Sequence, residues 1–269
     1  MDRIKDGFCC YKNPFGGQLL KVSLRPEDCL GIVFWTRYPA PLFKYLKEIE
    51  KMGFKFYFHY TITGYPKSFE THNPTLQRAL YSFKKLSDMI SSDYVFLRYD
   101  PLILSSITDS NYHLRFFESL CESLKGFTKR CYFSFVDYYS KTRKNLDILV
   151  KKANINFYMP TLKEQISLSR KLNDIGRSHD IRMYACCTDY LTGDGIYRAK
   201  CVDDEVFFKA GVNIQKRLKP KPTRKGCGCI ESTDIGTYDS CLFGCKYCYG
   251  TRDREKAFMN FKKIRRQEF

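Results

Sequence analysis

Cys241, Cys245 and Cys248 stand at i, i+4 and i+7 in the stretch SCLFGCKYCYG, residues 240–250. Thiolates at this spacing wrap three corners of a cubane iron–sulfur cluster within one short loop, because the irons of a cubane lie only a few ångströms apart. Gly244, directly before the second thiol, lets the backbone pass close to sulfide without a Cβ clash. Three ligands leave one iron open to a substrate or cofactor. Apolar packing gives no reason for such spacing.

Two more thiols, Cys227 and Cys229, precede the loop. A C-x-C pair and a C-x-x-C pair together supply four zinc ligands, a fit that the extra Cys241 spoils. If Cys227 or Cys229 caps the fourth iron, the cluster is closed, and the protein is an electron carrier, a sensor or a stapled module. If both stay free, they are a redox pair, a second metal site or a hydrogen donor. Cys186 and Cys187, at the end of an apolar run, join such a site or serve as small buried hydrophobes. Cys9, Cys10, Cys29, Cys121, Cys131 and Cys201 are assigned to packing or surface, and the four histidines show no ligand spacing.

Positioning these thiols falls to strands and helices that take turns along the chain. GIVFWT (31–36), FKFYFHYTIT (54–63), YVFLRYD (94–100), RCYFSFVD (130–137), INFYM (155–159) and IRMYACC (181–187) are short aromatic or β-branched runs that read as strands. Helical spacing predicts helices over 42–53, 76–90, 112–126 and 161–176, with Gly53, Gly126 and Gly176 as their stops. The alternation indicates a parallel sheet covered by helices: a (β/α) barrel or partial barrel first, an open doubly wound sheet second. Polar groups follow the strands: Thr36 and Arg37, Thr61 and Thr63, Arg98 and Asp100, Asp137, then Cys187 and Asp189. In parallel α/β folds ligands bind at the carboxyl edge, so Arg98, Asp100, Asp137 and Asp189 are the candidate catalytic residues at one mouth; the bland alternative pairs Arg98 with Asp100 as a structural ion pair.

Three segments divide the chain: a barrel-like domain over 1–211, a basic proline-containing connector over 212–226, and a cysteine-rich segment over 227–269. Gly193 and Gly195 in LTGDGIY read as a tight left-handed turn. No run of roughly eighteen apolar residues appears, and MDRIKDGFCC lacks a signal-peptide core, so no membrane partner is expected. Thirteen cysteines, an odd count without a leader, indicate thiols or metal ligands in a reducing, cytoplasmic setting. Lysine plus arginine number 46 against 29 aspartates and glutamates, a net charge of +17, densest at Lys216–Lys225 and in the tail KKIRRQ. That excess is a solvated surface and basic linker, or a nucleic-acid face.

C-x-x-x-C-x-x-C with an aromatic residue before the third cysteine resembles the cluster-binding loop of radical S-adenosylmethionine enzymes, and YDSCLFGCKYCYG is especially similar to the version in the spore photoproduct lyase group. Through VFWTRYPAPL, YTITGYP, RYDPLIL, SFVDYY and CGCIESTDIGTYDSCLFGCKYCY the chain also resembles an uncharacterised prokaryotic family, one of the domains of unknown function. The first resemblance implies that Cys241, Cys245 and Cys248 ligate three irons of a [4Fe–4S] cluster, that the fourth iron binds S-adenosylmethionine, that Tyr247 lies beside the adenine, and that an electron-donor protein serves an unknown substrate. In the radical enzymes this loop follows the first barrel strand, whereas here it follows nearly all of them. IESTDIGTY (230–238), read as a late strand feeding the loop, makes the arrangement a circular permutation. Relatives begin with an earlier strand and a helix whose last turn DRIKDGF would complete, closed by Gly7, so the expectation is a copy that starts late.

Overall fold

The computed structural model describes residues 1–12, 17–213, 218–222, 224–251 and 253–266. Lys216, Arg217 and Thr223 of the basic connector and Gln267 of the basic tail lie outside the described residues. A helical turn α1 (Asp2–Lys5) leads into an antiparallel hairpin of β1 (Phe8–Lys12) and β2 (Leu19–Ser23). Next come β3 (Ile32–Thr36), a 3₁₀ turn (Ala40–Tyr45), α2 (Leu46–Lys51), β4 (Phe56–Thr61), α3 (Leu76–Ile90), β5 (Val95–Leu102), α4 (Ser110–Leu124), β6 (Arg130–Phe135) and α5 (Ser140–Ala153). They are followed by α6 (Leu162–Ser178), β7 (Arg182–Ala185), β8 (Ile196–Arg198), α7 (Asp204–Lys209) and α8 (Arg254–Arg266).

Strands β3 to β8 form one parallel sheet in chain order, with β3 and β8 at its edges. A doubly wound sheet reverses its strand order at a switch point, and the described strands show no reversal. Side chains alternate across each strand, so the sheet has two differently covered faces. One face carries Phe58, Tyr60, Leu97, Tyr99, Phe133 and Met183, packed by Phe83 and Leu86 of α3, Phe117 and Leu120 of α4, and Leu168 and Leu172 of α6. These helices begin where the sequence can cap them: Thr75 and Asp109 accept from backbone amides, and Thr161 with Glu164 forms a capping box. The other face is an aromatic stripe of Tyr57, Phe96, Tyr132 and Tyr184, closed by Phe207 of α7 and by Cys227, Cys229 and Ile230.

Three expectations need correction. INFYM (155–159) does not enter the sheet; Ser106 N donates to Asn156 O (2.8 Å) and Tyr158 N to Leu104 O (3.2 Å), so the segment lies along the loop after β5, and β7 takes the place beside β6. IESTDIGTY is no strand beyond a single bridge from Pro220 to Ile230: residues 231–238 are exposed, and Asp234 Oδ1 accepts from Gly236 N at 2.8 Å, a local turn that competes with any ladder. Gly176 does not stop its helix, which runs to Ser178; a Cβ there would sit 2.7 Å from Ile181 O, so glycine permits the close approach of α6 to β7. The polar turn expected at LTGDGIY is present, with Gly193 and Gly195 both at positive φ, but it feeds a strand, β8, that the apolar runs did not announce.

Candidate functional site

At the carboxyl edge the aromatic stripe gives way to polar groups at the same two-residue period: Phe96 is succeeded by Arg98 and Asp100, Tyr132 by Ser134, and Tyr184 by Cys186. Arg98 Nη2 donates to Asp100 Oδ2 at 2.5 Å and Nη1 to Cys201 Sγ at 3.2 Å, while Ser134 Oγ donates to Asp100 Oδ1. Burial opposes the Arg98 charge, but Asp100 and the thiols of Cys201 and Cys186 outweigh it, so the guanidinium holds its proton more tightly than usual. Arg98 and Asp100 thus do form the ion pair, and it is built into the mouth. Asp137 accepts from Arg224 Nη1 at 2.7 Å on the exposed rim, and Asp189 pairs with Arg198 at 3.2 Å farther out. His59, buried on β4, donates through Nε2 to Cys201 O at 2.8 Å; burial and then Arg98 push its pKa down to about 3, and its Nδ1 lacks a partner among the described residues.

The three-thiol loop docks on the segments that follow β3 and β4. Lys246 N donates to Phe69 O (2.9 Å), His72 N to Phe243 O (3.0 Å), and Cys245 bridges Glu70 in antiparallel fashion. Tyr247 is the pin. Its buried ring packs with Tyr65, its hydroxyl donates to Glu70 Oε1, and it accepts from Arg37 Nη2 at 2.5 Å. Arg37 also pairs with Glu70 at 3.0 Å, and Thr63 Oγ1 donates to the same carboxylate oxygen. Burial disfavours the Arg37 charge, yet Tyr247, Glu70, Cys245 and Cys248 all raise its pKa, which places the guanidinium beside two of the loop thiols. Gly244 has φ +70°, and an added Cβ would meet nothing nearer than His72 Cδ2 at 3.5 Å, so backbone conformation rather than crowding calls for glycine.

Thiol chemistry and the glycine turn fit a thiolate-bound cluster: Cys245 feels both Cys248 and Cys241, and Arg37 offsets the charge that three thiolates would bring. Among the described residues, no group of three His, Cys, Asp or Glu side chains converges on a point that would hold a metal ion. None of the thirteen cysteines is in a disulfide. Cys227 and Cys229 pack in the cluster of Tyr57, Phe96 and Tyr132, whereas Cys245 and Tyr247 pack in that of Tyr65 and Phe69. Burial pushes the Tyr249 phenol up, Cys248 adds to that, and Arg98 opposes it.

Sequence reasoning placed Arg37 and Thr63 at strand ends without assigning them a role, it read Arg224 only as part of the basic connector, and it missed Glu70 and Ser134. It also assigned Cys201 to packing or surface, whereas the structure sets that thiol between Arg98 and Cys186. The two-residue period beyond Phe96 and Tyr132 is the signal that finds Ser134; nothing local marks Glu70. A separate surface groove of about 890 Å³ lies between the 3₁₀ turn and α3, lined by Tyr38, Phe43, Arg78, Tyr81 and Lys85 among others, without thiols or carboxylates. No described helix is long and apolar enough to cross a membrane.

Residues 1–250 match the family described as Domain of unknown function (DUF1848), and the chain belongs to that family. No curated protein and no solved structure matches the chain.

Proposed function

We propose that the chain is an iron–sulfur protein in which Cys241, Cys245 and Cys248 hold a [4Fe–4S] cluster at the carboxyl mouth of a (β/α) barrel or partial barrel, with the fourth iron open to S-adenosylmethionine. The observation that carries the reading is the docking of the three-thiol loop, through Lys246, Tyr247 and the Cys245–Glu70 bridge, onto the loop after β4 at the edge where parallel α/β folds bind ligands. Strands in unbroken chain order support the barrel. When bound, a reduced cluster of this type supplies the electron that cleaves the S-adenosylmethionine sulfonium and so starts hydrogen abstraction.

The chain's own groups bind, orient and shield. Arg37, Glu70 and Tyr247 fix the loop against the sheet, and the Arg37 charge opposes the rise that burial gives the Cys245 thiol. Arg98, held by Asp100, which Ser134 holds in turn, offers a fixed cation and carboxylate to the unknown substrate, with Asp137 at the rim. Packing of Cys229 against Val202 and Cys201 supports an open fourth iron over a closed one. The reading calls for an electron-donor protein in a reducing compartment.

Anaerobic purification with iron and sulfide analysis, then electron paramagnetic resonance of the reduced protein with and without S-adenosylmethionine, tests this. A brown protein whose reduced signal changes on adding S-adenosylmethionine is expected, and Cys241→Ala, Cys245→Ala and Cys248→Ala should each lose the iron. A colourless protein that keeps stoichiometric zinc after anaerobic reconstitution overturns the cluster. A cluster signal indifferent to S-adenosylmethionine in the wild type, but responsive in Cys229→Ala, makes Cys229 a fourth ligand and the protein a non-catalytic carrier or sensor.

A further inference from the structure

Five thiols outside the three-thiol loop form a string across the ends of β7 and β8. Cys187 Sγ lies 3.8 Å from Cys186 Sγ, which lies 3.7 Å from Cys201 Sγ. Cys201 is hydrogen-bonded onward to Cys229, and Cys229 to Cys227. Consecutive residues at a strand end normally point to opposite faces. Cys187 escapes this because its φ is +58°, and its carbonyl is backed by Gly226, where an added Cβ would fall 3.1 Å from Cys187 O. The bend brings two neighbouring thiols onto one side.

The string has an outer and an inner end. Cys187 is half-buried and receives Arg224 Nε at 2.9 Å, from a side chain that is 38 % exposed. Cys186 and Cys201 are only 7 % and 8 % exposed. Arg224 Nη2 reaches Cys186 Sγ at 3.6 Å, and Arg98 Nη1 reaches Cys201 Sγ at 3.2 Å. Cys187, Cys186 and Cys201 therefore each have a cation beside them and another sulfur within reach. Hydrogen bonds from Cys187 and Cys201, against burial and with help from both arginines, draw the Cys186 thiol down. The sulfurs follow one another in sequence rather than surrounding a point, an arrangement suited to passing a disulfide bond between neighbours.

We propose that Cys187, Cys186 and Cys201 form a redox-active thiol relay that reduces a small-molecule disulfide at the mouth of the sheet. Cys187 gives its proton to the adjacent Cys186 thiolate as it attacks one sulfur of the disulfide RSSR, forming a mixed disulfide and releasing RS⁻, which takes that proton from Cys186. The Cys186 thiolate then attacks the Cys187 sulfur and expels the second RS⁻, and Cys201 attacks Cys186, returning Cys187 to the thiolate. The products are a Cys186–Cys201 disulfide and two molecules of RSH once protons from the protein thiols are counted. Two protein thiols are oxidised, and one external disulfide is reduced. Arg224 is a positioning residue that holds the two outer sulfurs adjacent and favours one thiolate, at Cys186, within the pair, while the Cys186 contact raises the Cys187 thiol. The relay needs neither the loop thiols nor a cluster.

The test uses the reduced full chain under argon, alongside a Cys241→Ala, Cys245→Ala, Cys248→Ala variant, with 4,4′-dithiodipyridine as the disulfide probe. Thiopyridone release is followed in time and the products are mapped by mass spectrometry. The expected result in both proteins is a fast phase that releases two thiopyridones for each disulfide formed, leaves no label, and yields a Cys186–Cys201 cross-link. In Cys201→Ser, label or a Cys186–Cys187 bond should accumulate instead. Cys187→Ser should lose the fast phase, and Arg224→Gln should slow it several-fold with unchanged final stoichiometry. Circular dichroism confirms that each variant is folded. Label retained on every reacting thiol, a cross-link mapping to Cys227–Cys229, or Zn²⁺ bound stoichiometrically at these cysteines in the loop variant overturns the relay.

Discussion

Cys245, in the late loop, directs its Sγ to Asn73 Oδ1 at 3.6 Å, and burial pushes its thiol up to about 11. Cys229, in the sulfur string, is drawn down to about 6 by its hydrogen bond with Cys201, against burial. The loop thiols are neighbours in sequence and are held from outside, by Arg37, Glu70 and Tyr247. The string thiols come from three separate places in the chain and hold one another. Spacing in sequence thus announces a metal-type loop, while thiol-on-thiol contact is a product of the fold.

The sharpest way to break this contrast is to remove the outside support of the loop. Glu70→Ala leaves the Arg37 charge buried without its carboxylate, and deleting one partner of a buried pair costs about 3–5 kcal/mol. Denaturant unfolding should show a loss of that order, and hydrogen exchange should rise over residues 240–250, while the alkylation pattern of Cys186 and Cys201 stays as in the wild type. Equal loosening of both thiol groups would mean that they are one structural unit. Tyr247→Phe is the milder form. It removes the hydroxyl shared by Arg37 and Glu70 but keeps those two paired, so the expected cost is about 1–3 kcal/mol, with a smaller rise in exchange confined to the same segment.

The unequal visibility of the two regions has a physical origin. Helix α3 was legible to the residue because its apolar positions repeat at helical spacing after a capping threonine. The central strands β4 to β6 were legible because both faces are buried and their apolar runs are continuous. Strand β8 is three residues long with two of them exposed, too short to carry a period. The loop cysteines were legible as a site because their ligand pattern is local. Cys201 was not, since a lone cysteine acquires meaning only when β7 and β8 pair and set it against Cys186. Glu70 was hidden for the same reason: its partners Arg37 and Tyr247 are supplied by β3 and by a loop 177 residues away.

The smallest effect in energy, and the finest discrimination between the two regions, is in pH dependence. Iodoacetamide reacts with the thiolate, so each cysteine's rate climbs through its own pKa. Cys229, lowered, should reach half its limiting rate near pH 6; Cys245, raised, should still be climbing towards pH 11. The consequences for stability have opposite signs. A thiol depressed from 9.0 contributes stability that is fully present above pH 9 and lost as pH falls through about 6. A thiol elevated from 9.0 contributes stability that is present below pH 9 and lost as pH rises towards 11. Cys201→Ala removes the hydrogen bond that lowers Cys229, so the Cys229 profile should move up while the Cys245 profile stays in place. If quantitative mass spectrometry instead finds both profiles superimposed near the ordinary thiol value, or both moving together in Cys201→Ala, the neighbours do not set these thiols apart, and the distinction between a loop held from outside and a string that holds itself fails.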